Sequence, residues 1–205
     1  MDSFLIINPD IEEARQGKET PGDYVMRNAE LKAQAAANQL TGSSQEDWLV
    51  IAADTIVVDG DQVLGKPADE SQAIQILTSL RGKTHTVFSG LAVLDTSRGK
   101  IQTRQVSTPV SMREYTDQEI EDYVASGDPL DKAGAYAIQN EGFDPAPGFN
   151  DCYANVMGLP LCHLALVLNE MHCPGFGDVA RRCQESIGYQ CPVFARILSG
   201  MGMKE

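Results

Sequence analysis

The strongest constraint on the fold is a nearly uninterrupted apolar segment over residues 48–58 (WLVIAADTIVV), rich in β-branched side chains. A run of this kind between polar turns is typical of a strand that is buried on both faces of a sheet. Asp54 does not fit the run, because it places a carboxyl group among apolar neighbours whose burial without partners would be costly. Two interpretations stay open: Asp54 acts as a general base or cation ligand, or it holds a neighbouring loop through hydrogen bonds.

Helical and strand patterns alternate on both sides of this segment. Because the middle strands are joined by hairpins, we predict a mixed sheet flanked by helices, in the α/β or α+β class. Cap, turn and periodicity signals predict these elements: strands over residues 3–8, 48–58, 62–64, 85–94, 101–112 and 132–139, and helices over residues 21–39, 70–80, 117–124, 159–170, 179–185 and 192–198.

Length and charge limit the class of protein. A chain of 205 residues suffices for one sizeable domain or two packed lobes, and we divide it into a main domain over residues 1–171 and a helical tail over residues 172–205. The net charge of −13 argues against non-specific binding of nucleic acid. There is no apolar run of membrane-spanning length and no signal peptide, so we expect a cytoplasmic protein without a membrane partner. Five cysteines without a C-x-x-C pair are expected to be reduced thiols.

Other charged residues beside turns are weaker candidates for a site. Lys66 lies between Gly65 and Pro67, which fix the backbone and leave its ammonium free to contact a phosphate. The acidic groups Glu12, Glu13, Asp128 and Asp131 could contribute to a magnesium site, although a solvated surface is the commoner meaning of such residues. No phosphate-binding loop, dinucleotide-binding motif or nucleophile elbow occurs, and no histidine stands in a triad pattern.

Taken in order, the short motifs of the chain resemble the Maf-type nucleotide pyrophosphatases over roughly residues 4–168. The matching pieces occur in three groups. They are Asp10-Ile11-Glu12-Glu13, Glu19-Thr20-Pro21, Tyr24-Val25 and Glu30-Leu31-Lys32-Ala33; then Ala53-Asp54-Thr55, Leu64-Gly65-Lys66-Pro67-Ala68 and Gly82-Lys83-Thr84-His85; then residues 129–136 (PLDKAGAY), Ile138-Gln139 and residues 155–160 (NVMGLP).

The resemblance implies a fold of two lobes around an elongated mixed sheet, with a central cleft, as in inosine-triphosphate pyrophosphatases. It implies hydrolysis of a nucleoside triphosphate to the monophosphate and pyrophosphate with Mg²⁺ or Mn²⁺, and the Ala-Asp-Thr motif is similar to the branch that prefers dTTP and UTP. Asp54 and Glu13 match the catalytic and metal-binding acids. The residues that match substrate-binding positions are Lys32, Thr55, Lys66 and Gln139. Members of the family are often dimers, so a homodimer is expected.

Two features depart from the family pattern. The family usually opens with a strand, a Ser-x-Ser-Pro-Arg-Arg loop and a helix, which this sequence lacks; we expect a start upstream of Met1 rather than a degenerate member. After Gln139 the chain continues with Asn140 where many relatives have Gly, which bears on base recognition. The alternatives to a dTTP/UTP pyrophosphatase are a nucleotide-binding regulator of cell division with impaired catalysis, and an inosine-triphosphate-type enzyme that prefers purines.

Overall fold

The computed structural model describes residues 4–40, 47–173 and 177–200. Its strands are β1 (Leu49–Asp59), β2 (Gln62–Leu64), β3 (Thr84–Asp95) and β4 (Lys100–Ser111). Its helices are α1 (Pro21–Leu40), α2 (Glu70–Leu80), α3 (Asp117–Ala125), α4 (Tyr153–Val156), α5 (Leu161–Glu170), α6 (Val179–Ile187) and α7 (Phe194–Leu198), with 3₁₀ turns at Asp128–Asp131 and Ala133–Ala135. The α/β class with helices flanking a sheet is therefore confirmed.

The described strands form one sheet in the order β2–β1–β3–β4, and every neighbouring pair is antiparallel. The expectation of a mixed sheet is wrong for this part of the chain. A parallel pair needs a crossover connection, whereas here two tight hairpins join β1 to β2 and β3 to β4. β2 pairs with β1 only at residues 57–59, so residues 49–56 have no strand partner on that side among the described residues.

Helix α1 covers one face of the sheet at close range. Its inward side carries alanines at helical spacing, and these pack against Val50 and Ala92. The backbones of helix and sheet approach closely at Gly90, where a Cβ atom would lie 2.1 Å from the carbonyl oxygen of Val25. Because Gly90 lies opposite Asp54 in the β1–β3 register, the missing side chain brings the helix backbone directly over that pair.

The opposite face of the sheet carries the larger side chains of the core. One cluster joins α5 to Leu91 and Val93 of β3. A second joins α2 and α3 to the sheet around Val57 and Val87, and Tyr115 is fully buried in it with its hydroxyl donating to the carbonyl of Leu77. Both helices begin as the sequence predicts: Asp69 caps α2, and Thr116 with Glu119 forms a capping box at α3.

Two predicted strands are wrong. Residues 4–8 of the predicted strand over 3–8 have no strand conformation (Ser3 lies outside the described residues), and Phe4, Leu5 and Ile6 are exposed. An apolar run becomes a strand only beside a partner strand, and none of the described strands pairs with this one. Residues 132–139 contain a 3₁₀ turn instead, because Gly134 (φ 73) and Ala135 (φ 58) have left-handed backbone that no strand accepts.

The described part of the tail predicted over residues 172–205 contains two helices, α6 and α7, and both pack against α5. The boundary after residue 171 stays a prediction. In the described part of the chain, no helix combines the length and the apolar character that crossing a membrane requires.

Gly90→Ala is expected to destabilise the fold by roughly 2 kcal/mol or more, because its Cβ would collide with the backbone of α1. The measurement is the urea midpoint of unfolding. Gly148→Ala is the matched control, because a Cβ there meets nothing within 4 Å. An equal effect of both substitutions would contradict the close packing of α1.

His85 is expected to make the fold acid-sensitive. Burial lowers its pKa from 6.5 to about 4, against a weaker opposing effect of Asp59. The unfolded chain binds a proton near pH 6.5 and the folded chain only near pH 4, so stability present above pH 6.5 is lost as the pH falls towards 4. This loss should be roughly 2 kcal/mol between pH 7 and pH 4.5.

The measurement for His85 is the free energy of unfolding against pH for the wild type and for His85→Gln. The variant keeps a polar partner for the Tyr136 hydroxyl, which lies 2.8 Å from Nε2 of His85, but does not titrate. Its pH dependence should be shallower, although His163, whose burial also lowers its pKa to about 4, remains in both proteins. Parallel curves would refute the assignment.

Candidate active site

The site is built around Asp54, which is 6% exposed and lies beneath α1. The Lys32 ammonium lies 2.5 Å from Oδ1 of Asp54 and 2.8 Å from Oε1 of Glu13, so it bridges the two carboxylates. Exposure of the side chains rises from Asp54 through Lys32 (23%) to Glu13 (48%). These three residues therefore reach from the core at Asp54 to the solvent at Glu13, which lies in the irregular segment before α1.

Asn28 completes the environment of Asp54. Its amide is fully buried and donates to Oδ2 of Asp54 at 3.1 Å. Asn28 and Lys32 are one helical turn apart on α1, so both side chains meet the same carboxylate. The Arg27 guanidinium donates in turn to Oδ1 of Asn28 at 3.1 Å, which orients the amide.

Arg27 also holds the segment that carries Glu13. It forms two hydrogen bonds to the Glu19 carboxylate, at 2.8 and 3.0 Å, and one to the carbonyl of Ala14. This guanidinium holds the pKa of the Glu19 carboxyl below its usual range. The Tyr24 hydroxyl donates to the carbonyl of Glu13 at 2.6 Å. Helix α1 thus fixes the irregular segment that precedes it and brings Glu13 to Lys32.

The charge state of Lys32 follows from two opposing effects. Burial lowers the pKa of its ammonium, but the hydrogen bonds to Asp54 and Glu13 raise it by more, and the net shift is upward. Lys32 is therefore a fixed positive charge at neutral pH. A fixed ammonium beside a half-open entrance is suited to bind an anionic group such as a phosphate.

Thr55 belongs to a second group, on the opposite face of β1, because successive strand residues alternate in direction. Its hydroxyl lies 2.8 Å from that of Ser89 and 3.5 Å from the carbonyl of Gly158. A cavity of about 200 Å³ adjoins it, with Lys66 and Lys132 among the lining residues. The lining also includes Asp131, whose carboxylate forms an ion pair with Lys132 at 2.5 Å. Lys66 and the Thr55 hydroxyl are therefore the groups of this cavity that suit part of an anionic ligand.

The structure thus brings the predicted site residues together only in part. Asp54, Glu13 and Lys32 form one bonded group, and Thr55 and Lys66 share the second cavity. Gln139 is exposed in the loop region after the 3₁₀ turns and does not line that cavity. The catalytic and binding roles of these six residues stay a prediction.

Sequence reasoning missed Asn28 and Asn155. Asn155 is fully buried; its side-chain amide donates to Thr108 Oγ1 at 3.0 Å, and its backbone carbonyl accepts from the Ser89 hydroxyl. A polar residue within the Asn-Val-Met-Gly-Leu-Pro motif was a usable signal for it. Asn28 carried no such signal, because one asparagine in an alanine-rich helix indicates nothing until the structure places its amide against Asp54.

Asp128 was considered for a magnesium site, but its carboxylate instead accepts hydrogen bonds from the side chains of Tyr123 and Asn140.

The two carboxylates fit the requirements of a divalent cation. Asp54 and Glu13 both point at the position of the Lys32 ammonium, so they converge on one point where positive charge is stabilised. Mg²⁺ usually takes one or two carboxylates together with waters and substrate phosphates. Among the described residues, no group of three or more His, Cys, Asp or Glu side chains forms a ready-made metal site. Any cation here would therefore depend on oxygens supplied by a ligand.

The chain belongs to the family described as Maf-like protein, whose sequence profile matches residues 1–171. The resemblance deduced from the motifs is thereby confirmed.

Individual relatives are similar over most of the chain. A protein of Dehalococcoides mccartyi named dTTP/UTP pyrophosphatase is 43% identical over 155 residues, which cover 76% of this chain and 67% of the relative. Proteins of the same name from Dictyoglomus thermophilum and Pelotomaculum thermopropionicum are 40% and 42% identical, and in both cases the alignment covers 82% of this chain and 85% of the relative.

Asn28→Ala is expected to destabilise the fold by roughly 2 kcal/mol, because it removes a buried donor and leaves an oxygen of Asp54 without its partner. The measurement is chemical denaturation at neutral pH. Asn169→Ala, at an exposed position of α5, is the control and should change stability by less than about 0.5 kcal/mol. If both variants behave alike, Asn28 does not support Asp54.

Proposed function

We propose that this protein is a nucleoside triphosphate pyrophosphatase, which hydrolyses dTTP and UTP to the monophosphate and pyrophosphate. The observation that carries the proposal is the buried Asp54 carboxylate, which the Lys32 ammonium bridges to Glu13 in a chain of the Maf family. The relatives named dTTP/UTP pyrophosphatase support the choice of substrate. The bond broken is the anhydride between the α- and β-phosphates.

Asp54 is the general base of the proposed reaction. It accepts a proton from the water that attacks the α-phosphorus, and pyrophosphate leaves from the opposite side. Asn28 and Lys32 hold the carboxylate by one oxygen each, which fixes its orientation before the substrate arrives. Because Asp54 is buried beneath α1, its charge acts with little screening by water.

Lys32 and Glu13 lie where the triphosphate is proposed to enter, and Lys32 is the group that binds it. Lys32 is balanced by two carboxylates in the free protein and can donate to a phosphate oxygen when one arrives, since an ammonium has three donors. Glu13 is the more exposed of the two acids and lies at the entrance. On the other face of β1, Thr55 and Lys66 are proposed to hold a further part of the nucleotide, and Gln139 to contact it from its exposed loop.

A divalent cation, Mg²⁺ or Mn²⁺, is part of the proposal. Asp54 and Glu13 would hold it together with phosphate oxygens, as the convergence of their carboxylates allows. When bound, such a cation neutralises the charge of the triphosphate and of the departing pyrophosphate. A cytoplasmic location, where nucleoside triphosphates are available, and a homodimer complete the proposal. Light scattering on the purified protein measures the oligomeric state.

Asp54→Asn is expected to lower pyrophosphate release at least roughly 100-fold, because the amide keeps the size of the carboxylate but cannot accept the proton. The measurement is pyrophosphate release from dTTP, UTP, CTP, GTP and ATP with Mg²⁺ or Mn²⁺. Asp61→Asn, in the exposed turn between β1 and β2, is the control and should leave turnover unchanged.

Three results would contradict this assignment. A wild-type protein that binds nucleotides without releasing pyrophosphate from any of the five would favour the non-catalytic regulator. A preference for purine nucleotides would favour an inosine-triphosphate-type enzyme. Equal loss of activity in the Asp54 and Asp61 variants would show that the effect is not specific to the buried carboxylate.

A further inference from the structure

Four of the five cysteines line one small cavity where the C-terminal segment meets the rest of the chain. Cys152 precedes α4 and Cys162 lies in the first turn of α5, both within the residues that match the Maf family. Cys183 on α6 and Cys191 between α6 and α7 lie beyond those residues. The cavity holds about 10 Å³, room for no more than about one water molecule. The thiols therefore surround a nearly closed space.

Cys152 and Cys191 are held on segments that are fixed against each other. Both belong to one apolar cluster with Ala154 and Val193. Next to them, the Tyr189 hydroxyl is within 3.2 Å of the carbonyl oxygen of Asp151. The loop with Cys191 is also tied to α6, because its backbone N–H donates to the side chain of Gln184 at 2.9 Å.

The four thiols differ in their access to solvent. Cys152 and Cys162 are buried, and burial raises the pKa of their thiols to about 12 and about 11. Burial also raises the pKa of the Cys183 thiol. Cys183 and Cys191 are both partly buried, but Cys183 lies within α6, whereas Cys191 lies in a loop. Because reactivity requires access from solvent, we take Cys191, the partly buried thiol on a loop, as the one that an oxidant reaches first.

We propose that this cavity is an oxidation site, at which a peroxide joins Cys191 and Cys152 in a disulfide that fastens the C-terminal segment to the start of α4. The Cys191 thiolate attacks the O–O bond, becomes a sulfenic acid and releases hydroxide, which takes up the proton lost by the thiol and leaves as water. The Cys152 sulfur then attacks the Cys191 sulfur, and the sulfenic hydroxyl departs with the Cys152 proton as a second water. Two thiols are oxidised and one peroxide is reduced.

The other partners in the cavity are less suitable. Cys183 packs against the same apolar cluster, but it belongs to the same C-terminal segment as Cys191, so a bridge between those two would not fasten this segment to the rest of the chain. Cys162 is not part of that cluster. Metal binding is disfavoured in the described part of the chain, because these thiols form no group arranged to hold an ion. The far end of α4 leads into Met157 and Gly158, which line the cavity beside Thr55, so the cross-link would tether one wall of the proposed substrate region.

The test is peroxide treatment of the reduced full-length protein, followed by intact mass and non-reducing peptide mapping. The expected product has lost two hydrogens, contains the Cys152–Cys191 peptide pair and reverts with dithiothreitol. Its melting temperature should rise by roughly 5 °C, since a native cross-link constrains the unfolded chain. Cys191→Ser should abolish the product and the rise in melting temperature. Cys173→Ser, which changes a thiol outside the cavity, should form the product normally.

Three results would overturn the proposal: a bridge that omits Cys152, formation of the bridge in Cys191→Ser, or thiols that stay free or form only higher oxidation states under peroxide. Cys152→Ser is a second test, but if that buried substitution prevents folding, the partly exposed Cys191→Ser alone decides. The readout is the covalent state of the sulfur atoms, so it is independent of whether the protein releases pyrophosphate.

Discussion

A carboxylate in the middle of an apolar strand needs partners before the strand can pack, and Asp54 takes its partners from α1. Asn28 and Lys32 meet it from one helical turn, while Gly90 on the neighbouring strand leaves room for the helix backbone. These contacts fix both the distance and the rotation of α1 on the sheet. The need of the buried Asp54 carboxylate for hydrogen-bond partners therefore sets the position of α1, the longest helix in the described structure.

The same requirement organises the irregular segment before α1. Lys32 extends from Asp54 to Glu13, and Arg27 and Tyr24 hold the backbone around Glu13. This segment has no strand or helix of its own, and its order comes from hydrogen bonds to a helix that is itself held by a buried charge. The site thus extends from Asp54, which is buried in the sheet, through Lys32 to the more exposed Glu13 at the entrance.

Much of the fold could be predicted from local patterns. The central strand predicted over residues 48–58 and the helices predicted over residues 21–39 and 117–124 are all present in the structure, with bounds within one or two residues. The failures share a physical cause. Whether residues 4–8 form a strand depends on a partner strand, and the turn at Gly134 depends on left-handed backbone that apolar neighbours do not reveal. Sheet direction likewise depends on contacts between distant segments.

The candidate site was predictable to a different degree at each residue. Asp54 was visible because it breaks an apolar run, and Glu13 was one of four acidic candidates beside turns, whereas Lys32 was found only through the family resemblance. Asn28 was missed, because its importance appears only when α1 lies over β1. Strand alternation implies that Asp54 and Thr55 face opposite ways, but which of them meets α1 could not be deduced without the helix in place.

The inward side of α1 consists largely of alanine, and this has a consequence for how the site can vary. Because these side chains are short, α1 lies close to the sheet, and their size fixes the distance over which the Lys32 ammonium has to reach Asp54. A longer apolar residue at Ala29 or Ala33 would raise the helix and carry Lys32 away from Asp54 without touching either one. The distance between Lys32 and Asp54 is therefore controlled by alanines that have no chemical function. Substitution of these core residues would alter the site even while all of its charged groups are kept.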